Sequence, residues 1–124
     1  MNAETVVREF CAAFARRDVA ELLSFLGAQC VYHNMPMAPL KGHAAIEPVL
    51  RGFLHGCTKV EFEVLGLAAR GGLVLTERVD RFEREDGRRI ELPVMGAFEV
   101  DASGKIAAWR DYFDLQTWVK QAGA

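Results

Sequence analysis

The sequence contains few cysteines, and their spacing excludes the two structural roles that cysteines usually have in small domains. Only Cys11, Cys30 and Cys57 are present, an odd number without a CxxC pair. A disulfide framework needs cysteines in pairs, and a cysteine-based zinc site needs closely spaced thiols, so neither is predicted. The three thiols are predicted to be small buried side chains in a protein of a reducing compartment.

The sequence also lacks an excess of positive charge and any long apolar run. Fifteen basic side chains face seventeen acidic ones, and the net charge of −2 gives no electrostatic footprint for nucleic acid or an anionic membrane. No run of about 18 apolar residues is present, so no membrane span is predicted. The first ten residues, MNAETVVREF, include two glutamates and no long apolar segment. No signal peptide is therefore expected, and a cytoplasmic location is predicted.

What remains is the composition of an ordinary globular domain. The chain has 124 residues, of which 51% are hydrophobic and 26% charged. This length predicts a single domain over residues 1–124 with a core large enough to surround a pocket.

The spacing of apolar residues changes from a helical to a strand period along the chain. The first third has apolar residues three and four apart, and a third helix is predicted over 44–55 although Pro48 lies inside it. A short strand at 30–35 and a loop at 36–42 precede that helix. From residue 59 the period is two, with strands predicted at 73–85, 88–100 and 106–114 and a short tail from Trp118. Helices followed by an antiparallel meander predict an α+β domain whose curved, mostly antiparallel mixed sheet encloses a pocket.

Alternation along the predicted strands places polar side chains among apolar ones. In the strand at 88–100 one face is apolar, and we interpret it as the inward one; it carries Ile90, Leu92, Val94, Phe98 and Val100. One face of 73–85 carries Val74, Thr76, Arg78, Asp80 and Phe82. Asp111 lies between Trp109 and Phe113 on its own face, and Tyr32 shares a face with Asn34.

Arg78, Asp80 and Asp111 are the candidates for acid–base chemistry. An arginine two residues from an aspartate on a strand is usually a surface ion pair. If the two aspartates are buried, however, one guanidinium compensates only one carboxylate, and the cluster is neutral when it holds one extra proton. Such a cluster has one group that accepts a proton and another that donates one.

Three segments resemble the signature segments of the limonene-1,2-epoxide hydrolase family. They are YHNMP at 32–36, RVD at 78–80 and WRDYFD at 109–114, and the separations between them also match. The resemblance covers most of the chain, from the first helix to Trp118. It implies the cone-shaped fold shared with nuclear transport factor 2, ketosteroid isomerase and SnoaL-like proteins. It also implies a homodimer that uses no cofactor and no metal ion.

The resemblance implies a role for each of five polar residues. Asp111 is similar to the general base that holds the attacking water together with Tyr32 and Asn34. Asp80 is similar to the acid that protonates the epoxide oxygen, and Arg78 is similar to the arginine that bridges the two carboxylates. The implied reaction adds water to a small hydrophobic, cyclic epoxide in one concerted step and gives a vicinal diol.

The predicted pocket walls are apolar, and two other functions remain open. The wall residues are Phe53, Phe82, Leu92, Val94, Trp109, Phe113 and Trp118. One alternative is an isomerase of the ketosteroid isomerase type, which uses one carboxylate and an oxyanion hole. The other is a non-catalytic small-molecule-binding module, because a fold does not fix a function.

Two geometric predictions follow from the catalytic interpretation. Asp80 and Asp111 should lie on neighbouring strands at the bottom of one apolar pocket, with Arg78 within hydrogen-bonding reach of both. His33 should point to the opposite face of its strand, since it lies between Tyr32 and Asn34. The three histidines have no HxxxH spacing, which leaves them without a predicted role as metal ligands.

Overall fold

The computed structural model describes residues 2–123, which form helices packed on one six-stranded sheet. In chain order the elements are α1 (Ala3–Ala13), a 3-10 turn (Phe14–Arg16), α2 (Val19–Ser24), β1 (Leu26–Asn34), β2 (Leu40–Lys41), α3 (His43–Leu54), β3 (Cys57–Arg70), β4 (Leu73–Arg84), β5 (Arg89–Val100), β6 (Ile106–Tyr112) and α4 (Leu115–Ala122).

The sheet is an antiparallel meander extended by one parallel strand pair. Its order is β2-β1-β6-β5-β4-β3, so the sheet is open and β2 and β3 are its edges. Strands β1 and β6 run parallel, whereas the other neighbours are antiparallel. Bulges interrupt β3 beside Cys57 and Val64, and such irregularities bend a strand and increase its twist. The predicted α+β class with a mixed sheet is confirmed.

The helices cover the face of the sheet that carries the even positions of β4 and β5. Phe10 and Phe14, from α1 and the following turn, pack edge-on against Trp109 with ring centroids 4.9 and 6.0 Å apart. Asn2 caps α1, because its side chain accepts a hydrogen bond from the Thr5 amide at 2.8 Å. Because the helices cover the even positions of β5, the assignment of its apolar face as the inward one is correct.

The chain end was predicted incorrectly as a short tail. Residues Leu115–Ala122 form α4, whose first turn is capped by Asp114 and whose last turn ends at Gly123 with a φ of 76°. Asp114 at the N-cap and a glycine just after the last turn are ordinary helix boundary signals, and they were overlooked. Trp118 therefore lies on a helix.

Smaller differences concern β1, β2 and α3. β1 begins at Leu26 rather than at residue 30, and the loop at 36–42 contains the two-residue strand β2. The helix α3 starts at His43 and continues through Pro48. The proline costs α3 the hydrogen bond that its missing N–H would have made, without ending the helix.

Candidate active site

Three polar side chains of β4 point into the helix-covered side of the sheet. Thr76, Arg78 and Asp80 alternate along the strand and are 1%, 1% and 4% exposed. Asp111, 4% exposed, reaches the same place from β6. The strand β5 lies between β4 and β6, so the prediction that the two aspartates occupy neighbouring strands was wrong. Consecutive strands of a meander pair in order, which necessarily puts β5 between them.

Arg78 joins the two aspartates across that gap, as predicted. Its Nε and Nη2 donate to Oδ1 and Oδ2 of Asp80 at 3.0 and 2.9 Å. Its Nη1 and Nη2 donate to Oδ1 and Oδ2 of Asp111 at 3.2 and 3.0 Å. The second hydrogen of Nη1 is directed at Thr76 Oγ1, at 3.1 Å. All five guanidinium N–H groups therefore have an acceptor.

The guanidinium can cross β5 because the residue beneath it is a glycine. Gly96 is the register partner of both Thr76 on β4 and Asp111 on β6. A Cβ at Gly96 would overlap Nη1 of Arg78 and would lie 2.8 Å from Thr76 Oγ1 and 2.9 Å from Asp111 Oδ1. The missing side chain makes the space in which one arginine binds two carboxylates.

The site is buried, and its charges do not cancel when both carboxylates are ionised. The guanidinium of Arg78 lies against the rings of Phe62 and Phe98, with its central carbon 5.2 and 5.8 Å from their centroids. Burial raises the pKa of Asp80 to about 6; Arg78 opposes this shift, and the neighbouring Asp111 adds to it. Of the two states of Asp80, the protonated one makes the cluster neutral.

Tyr32 and Asn34 approach Asp111 from β1. Parallel pairing places Tyr32 beside Trp109 and Asn34 beside Asp111, so all four side chains share one face. The Tyr32 ring stacks on Trp109 with centroids 3.8 Å apart and an interplanar angle of 13°. Burial, with a contribution from Asp111, raises the pKa of Tyr32 well above its usual value. The phenol therefore keeps its proton at neutral pH and can act as a hydrogen-bond donor.

A pocket opens above these groups, and the space within it together with the open space at its mouth is about 500 Å³. Asp80, Asp111, Tyr32 and Asn34 are the polar residues of its lining, whereas Arg78 lies beneath the surface. All seven predicted wall residues line it: Phe53, Phe82, Leu92, Val94, Trp109, Phe113 and Trp118. Four more wall residues were not predicted, namely Phe14, Met37, Leu50 and Phe62.

Sequence reasoning also missed Thr76 and Gly96. Thr76 was placed on the face of Arg78 without a role, although a hydroxyl two residues before a buried arginine is a natural acceptor. Gly96 interrupts an otherwise apolar series of even positions between Val94 and Phe98, and that interruption was the available signal.

The remaining histidines and cysteines lie outside the acid–base cluster. His33 points to the other face of β1, and its Nε2 lies 2.9 Å from the Met37 carbonyl oxygen. The three cysteines are buried and free, as predicted. Among residues 2–123, no group of three or more His, Cys, Asp or Glu side chains is placed to hold a metal ion. No helix in the same range is long and apolar enough to cross a membrane.

Comparison with known proteins gives the family. The family model described as limonene-1,2-epoxide hydrolase catalytic domain matches residues 1–123. The chain belongs to the limonene-1,2-epoxide hydrolase family. Epoxide hydrolase EphG of Mycobacterium tuberculosis (strain ATCC 25618 / H37Rv) is 33% identical over 114 residues, which are 92% of this chain and 74% of that protein. The resemblance drawn from the sequence is confirmed.

Solved structures extend the likeness of this limonene-1,2-epoxide hydrolase family member to the fold. An LEH-like epoxide hydrolase of M. tuberculosis has a TM-score of 0.80 and 31% identity, covering 98% of this chain and 92% of that one. A protein with a ketosteroid isomerase-like fold from Catenulispora acidiphila DSM 44928 has a TM-score of 0.81 at 18% identity, covering 95% and 92%. The second likeness concerns the fold alone, and the predicted cone-shaped architecture is confirmed.

Proposed function

We propose that the protein hydrolyses a small, uncharged hydrophobic epoxide to a vicinal diol in one step, by paired acid and base catalysis. The observation that carries this proposal is the arrangement of Arg78, whose five donors bind Thr76 and two buried carboxylates at the floor of an apolar pocket. Such an arrangement holds a proton donor and a proton acceptor close together at the floor of the pocket.

Asp111 is the proposed base. Water is a poor nucleophile until a base removes its proton during attack. Asp111 lines the pocket and is the register partner of Asn34 on the neighbouring strand. Asn34 and the Tyr32 phenol are proposed to hold the water oxygen for in-line attack on an epoxide carbon. A water molecule held in this way has already lost its translational and rotational freedom, so this entropy is not lost again in the reaction step.

Asp80 is the proposed acid. Its raised pKa, about 6, keeps roughly a tenth of the molecules protonated at Asp80 at pH 7, far more than an ordinary aspartate would. In the reaction the water oxygen forms a bond to one epoxide carbon while that carbon's bond to the epoxide oxygen breaks. Asp80 gives its proton to the leaving oxygen, and Asp111 receives one proton of the water. The cluster has the same number of protons before and after, with the proton moved from Asp80 to Asp111.

The lining also supports a preference for uncharged substrates. The described pocket residues include two carboxylates and no lysine, arginine or histidine. An epoxide carrying its own carboxylate would be buried beside like charge without a partner, which is costly. An epoxide with hydrocarbon substituents meets only apolar walls.

A single-turnover experiment in ¹⁸O-labelled water tests the proposed function. Protein in excess over an epoxide such as cyclohexene oxide should give a diol with one labelled oxygen in the first turnover. A covalent ester to an aspartate would instead give unlabelled diol first, because the added oxygen then comes from the carboxylate. Unlabelled first product, or no diol from any hydrophobic epoxide, would contradict the proposal.

The two alternatives make different use of the cluster. An isomerase of the ketosteroid isomerase type needs one carboxylate base and hydrogen-bond donors to an oxyanion. That scheme could use a protonated second aspartate as an oxyanion donor, but it leaves the Arg78 that bridges the two carboxylates without a task. A binding module has no need of an acid and a base at the same contact. Deuterium exchange into a ketone without diol formation from epoxides would favour the isomerase.

We also propose that the protein is a homodimer formed through the uncovered face of the sheet. This face carries exposed apolar side chains, with Met95 and Tyr112 paired across β5 and β6 and Leu65 and Leu75 beside them. Clustered apolar surface of this kind is typical of an interface between copies. Light scattering should give twice the monomer mass of 13.8 kDa, and Met95→Glu should lower it; a monomeric wild type would contradict the proposal.

A further inference from the structure

The aromatic residues of the chain are concentrated at one cavity. The sequence has eight phenylalanines, two tryptophans and two tyrosines. Eight of these twelve side chains line the pocket, including both tryptophans. Aliphatic side chains are sufficient to bury a hydrocarbon in an apolar pocket, so burial alone does not account for the enrichment in aromatic rings.

Aromatic rings flank each of the two carboxylates. Phe62 on β3 is the register partner of Asp80, and Phe82 follows Asp80 on the same face of β4. Trp109 and Phe113 lie two residues before and after Asp111. An epoxide held between the acid and the base therefore has ring systems on both sides of its reacting carbons.

A second group of rings lines a part of the pocket that we call the chamber, and its members are Phe53, Phe82 and Trp118. Trp118 of α4 meets Phe53 of α3 edge-on, at 5.2 Å between centroids and an angle of 87°. Trp118 also meets Phe82 at 5.6 Å and 85°. These edge-to-face contacts are the geometry that aromatic pairs prefer, with the positive edge of one ring on the negative face of another.

Building on the proposed function, we propose that the substrates are aryl-substituted epoxides, with the aryl group in the chamber of Phe53, Phe82 and Trp118. An aryl ring continues the edge-to-face pattern of this chamber, whereas a saturated ring of similar size gains burial alone.

The test compares two epoxides that differ only in the unsaturation of one ring. Benzyloxirane and (cyclohexylmethyl)oxirane both have a methylene between ring and epoxide, so the intrinsic reactivity of their epoxides is alike. We expect kcat/KM for benzyloxirane to exceed that for the saturated analogue by about tenfold, since each aromatic contact adds to the shared burial. Diol formation from each is followed separately by chromatography.

Variants locate the preference in the chamber. Phe82→Leu and Trp118→Leu keep an apolar wall but remove a ring, and each should reduce the ratio of the two kcat/KM values to about threefold or less. Phe25→Leu is the matched control, because Phe25 packs on Phe10 at 5.5 Å and does not line the pocket. Each ratio is measured on one preparation, so a lowered fraction of folded protein cancels.

The outcomes separate the substrate class from the proposed function. A tenfold aryl preference that falls in both chamber variants and persists in Phe25→Leu supports the inference. The inference is overturned by equal rates for the two epoxides, by a preference for the saturated one, or by a preference that the chamber variants do not change. In each of these cases diol is still formed, so the proposed hydrolase function is retained. If neither epoxide is hydrolysed and cyclohexene oxide is not hydrolysed either, both the inference and the proposed function are overturned.

Discussion

Strand β4 carries two arginines that each bind two carboxylates, one on each face of the sheet. On the helix-covered face, Arg78 holds Asp80 and Asp111, with side chains 0%, 5% and 5% exposed. On the uncovered face, Arg81 holds Glu61 and Glu63 at 3.3 and 2.6 Å, with side chains 34%, 53% and 45% exposed. The charges are of the same kinds, although Glu91 is a third and more distant carboxylate, 3.9 Å from Arg81 Nε, and the surroundings are opposite.

The difference shows that burial, and not composition, makes an ion cluster chemically useful. Water screens the Arg81 cluster, so its ion pairs contribute little to stability. The Arg78 cluster is buried, so its second carboxylate is neutralised most cheaply by a proton. Variants made in pairs on the two faces separate these effects.

Asp80→Asn and Asp111→Asn should have the largest effect. Each keeps the shape of the side chain and removes its proton chemistry, so kcat for diol formation should fall by about 10²–10⁴-fold. The double variant should be little slower than the worse single one, because the two groups act in one step. Glu61→Gln and Glu63→Gln are the controls and should leave kcat unchanged. Folded single variants with near-wild-type turnover would eliminate the paired mechanism.

Arg78→Lys should be nearly as damaging. Lysine offers three donors from one nitrogen where five donors of a planar group are used, so it cannot hold both carboxylates in place. A misplacement of about 1 Å costs on the order of 10²-fold in rate, and kcat should fall by about that factor. Arg81→Lys should change neither kcat nor the melting temperature appreciably. Similar losses for both variants would mean that the two clusters do not differ in function.

Asp80 should make the stability of the protein depend on pH, by roughly 3 kcal/mol over its titration. The pKa of Asp80 is about 6 in the folded protein and 3.8 ordinarily, so between these values the folded state binds more protons than the unfolded state. Its contribution to stability is full below pH 3.8 and is lost as the pH rises through 6.

Urea unfolding from pH 4 to 8 measures this contribution. The difference in unfolding free energy between wild type and Asp80→Asn should narrow or reverse as the pH rises through that window. Glu63→Gln is the exposed control for this comparison, because the Glu63 side chain is 45% exposed. Parallel profiles for wild type and Asp80→Asn would mean that Asp80 titrates normally.

Gly96→Ala should cost roughly tenfold in kcat. The new methyl group would displace Nη1 of Arg78 from the space over β5, and overpacking of this kind destabilises by about 1–3 kcal/mol. Gly52→Ala on α3 is the matched control, because no atom lies within 4 Å of a Cβ there. The fall in kcat of Gly96→Ala should be larger than the fall in its fraction of folded protein. An unchanged kcat in the folded variant would show that the position of Arg78 does not depend on this glycine.

The sequence predicted what depends on local periodicity and failed on what depends on strand order. Alternation correctly placed Arg78 with Asp80, and Trp109 with Asp111, on inward faces. It said nothing of how far apart β4 and β6 lie, so the intervening β5 and the role of Gly96 were missed.

Long-range packing accounts for the remaining omissions. Phe14 and Leu50 line the pocket because helices cross the sheet there, and no spacing along the chain reports such a crossing. Met37 reaches the pocket from a loop whose path depends on its bonds to Asn34 and His33. The helix α4 is different, because its capping residues were visible in the sequence and were overlooked.

The smallest effect is expected for Tyr32→Phe, and the second tyrosine supplies its control. The phenyl ring can keep the stack on Trp109, so the fold should be retained and only the hydroxyl is lost. Asn34 and Asp111 still hold the water, so kcat should fall by less than about tenfold, which is the usual worth of one hydrogen bond. Tyr112 lies on the uncovered face, 49% exposed, and Tyr112→Phe should leave kcat unchanged. A loss for Tyr32→Phe as large as that for Asp111→Asn would make the phenol itself a proton carrier. The raised pKa of Tyr32 argues against that role, because a phenol that holds its proton tightly donates a hydrogen bond without giving the proton up.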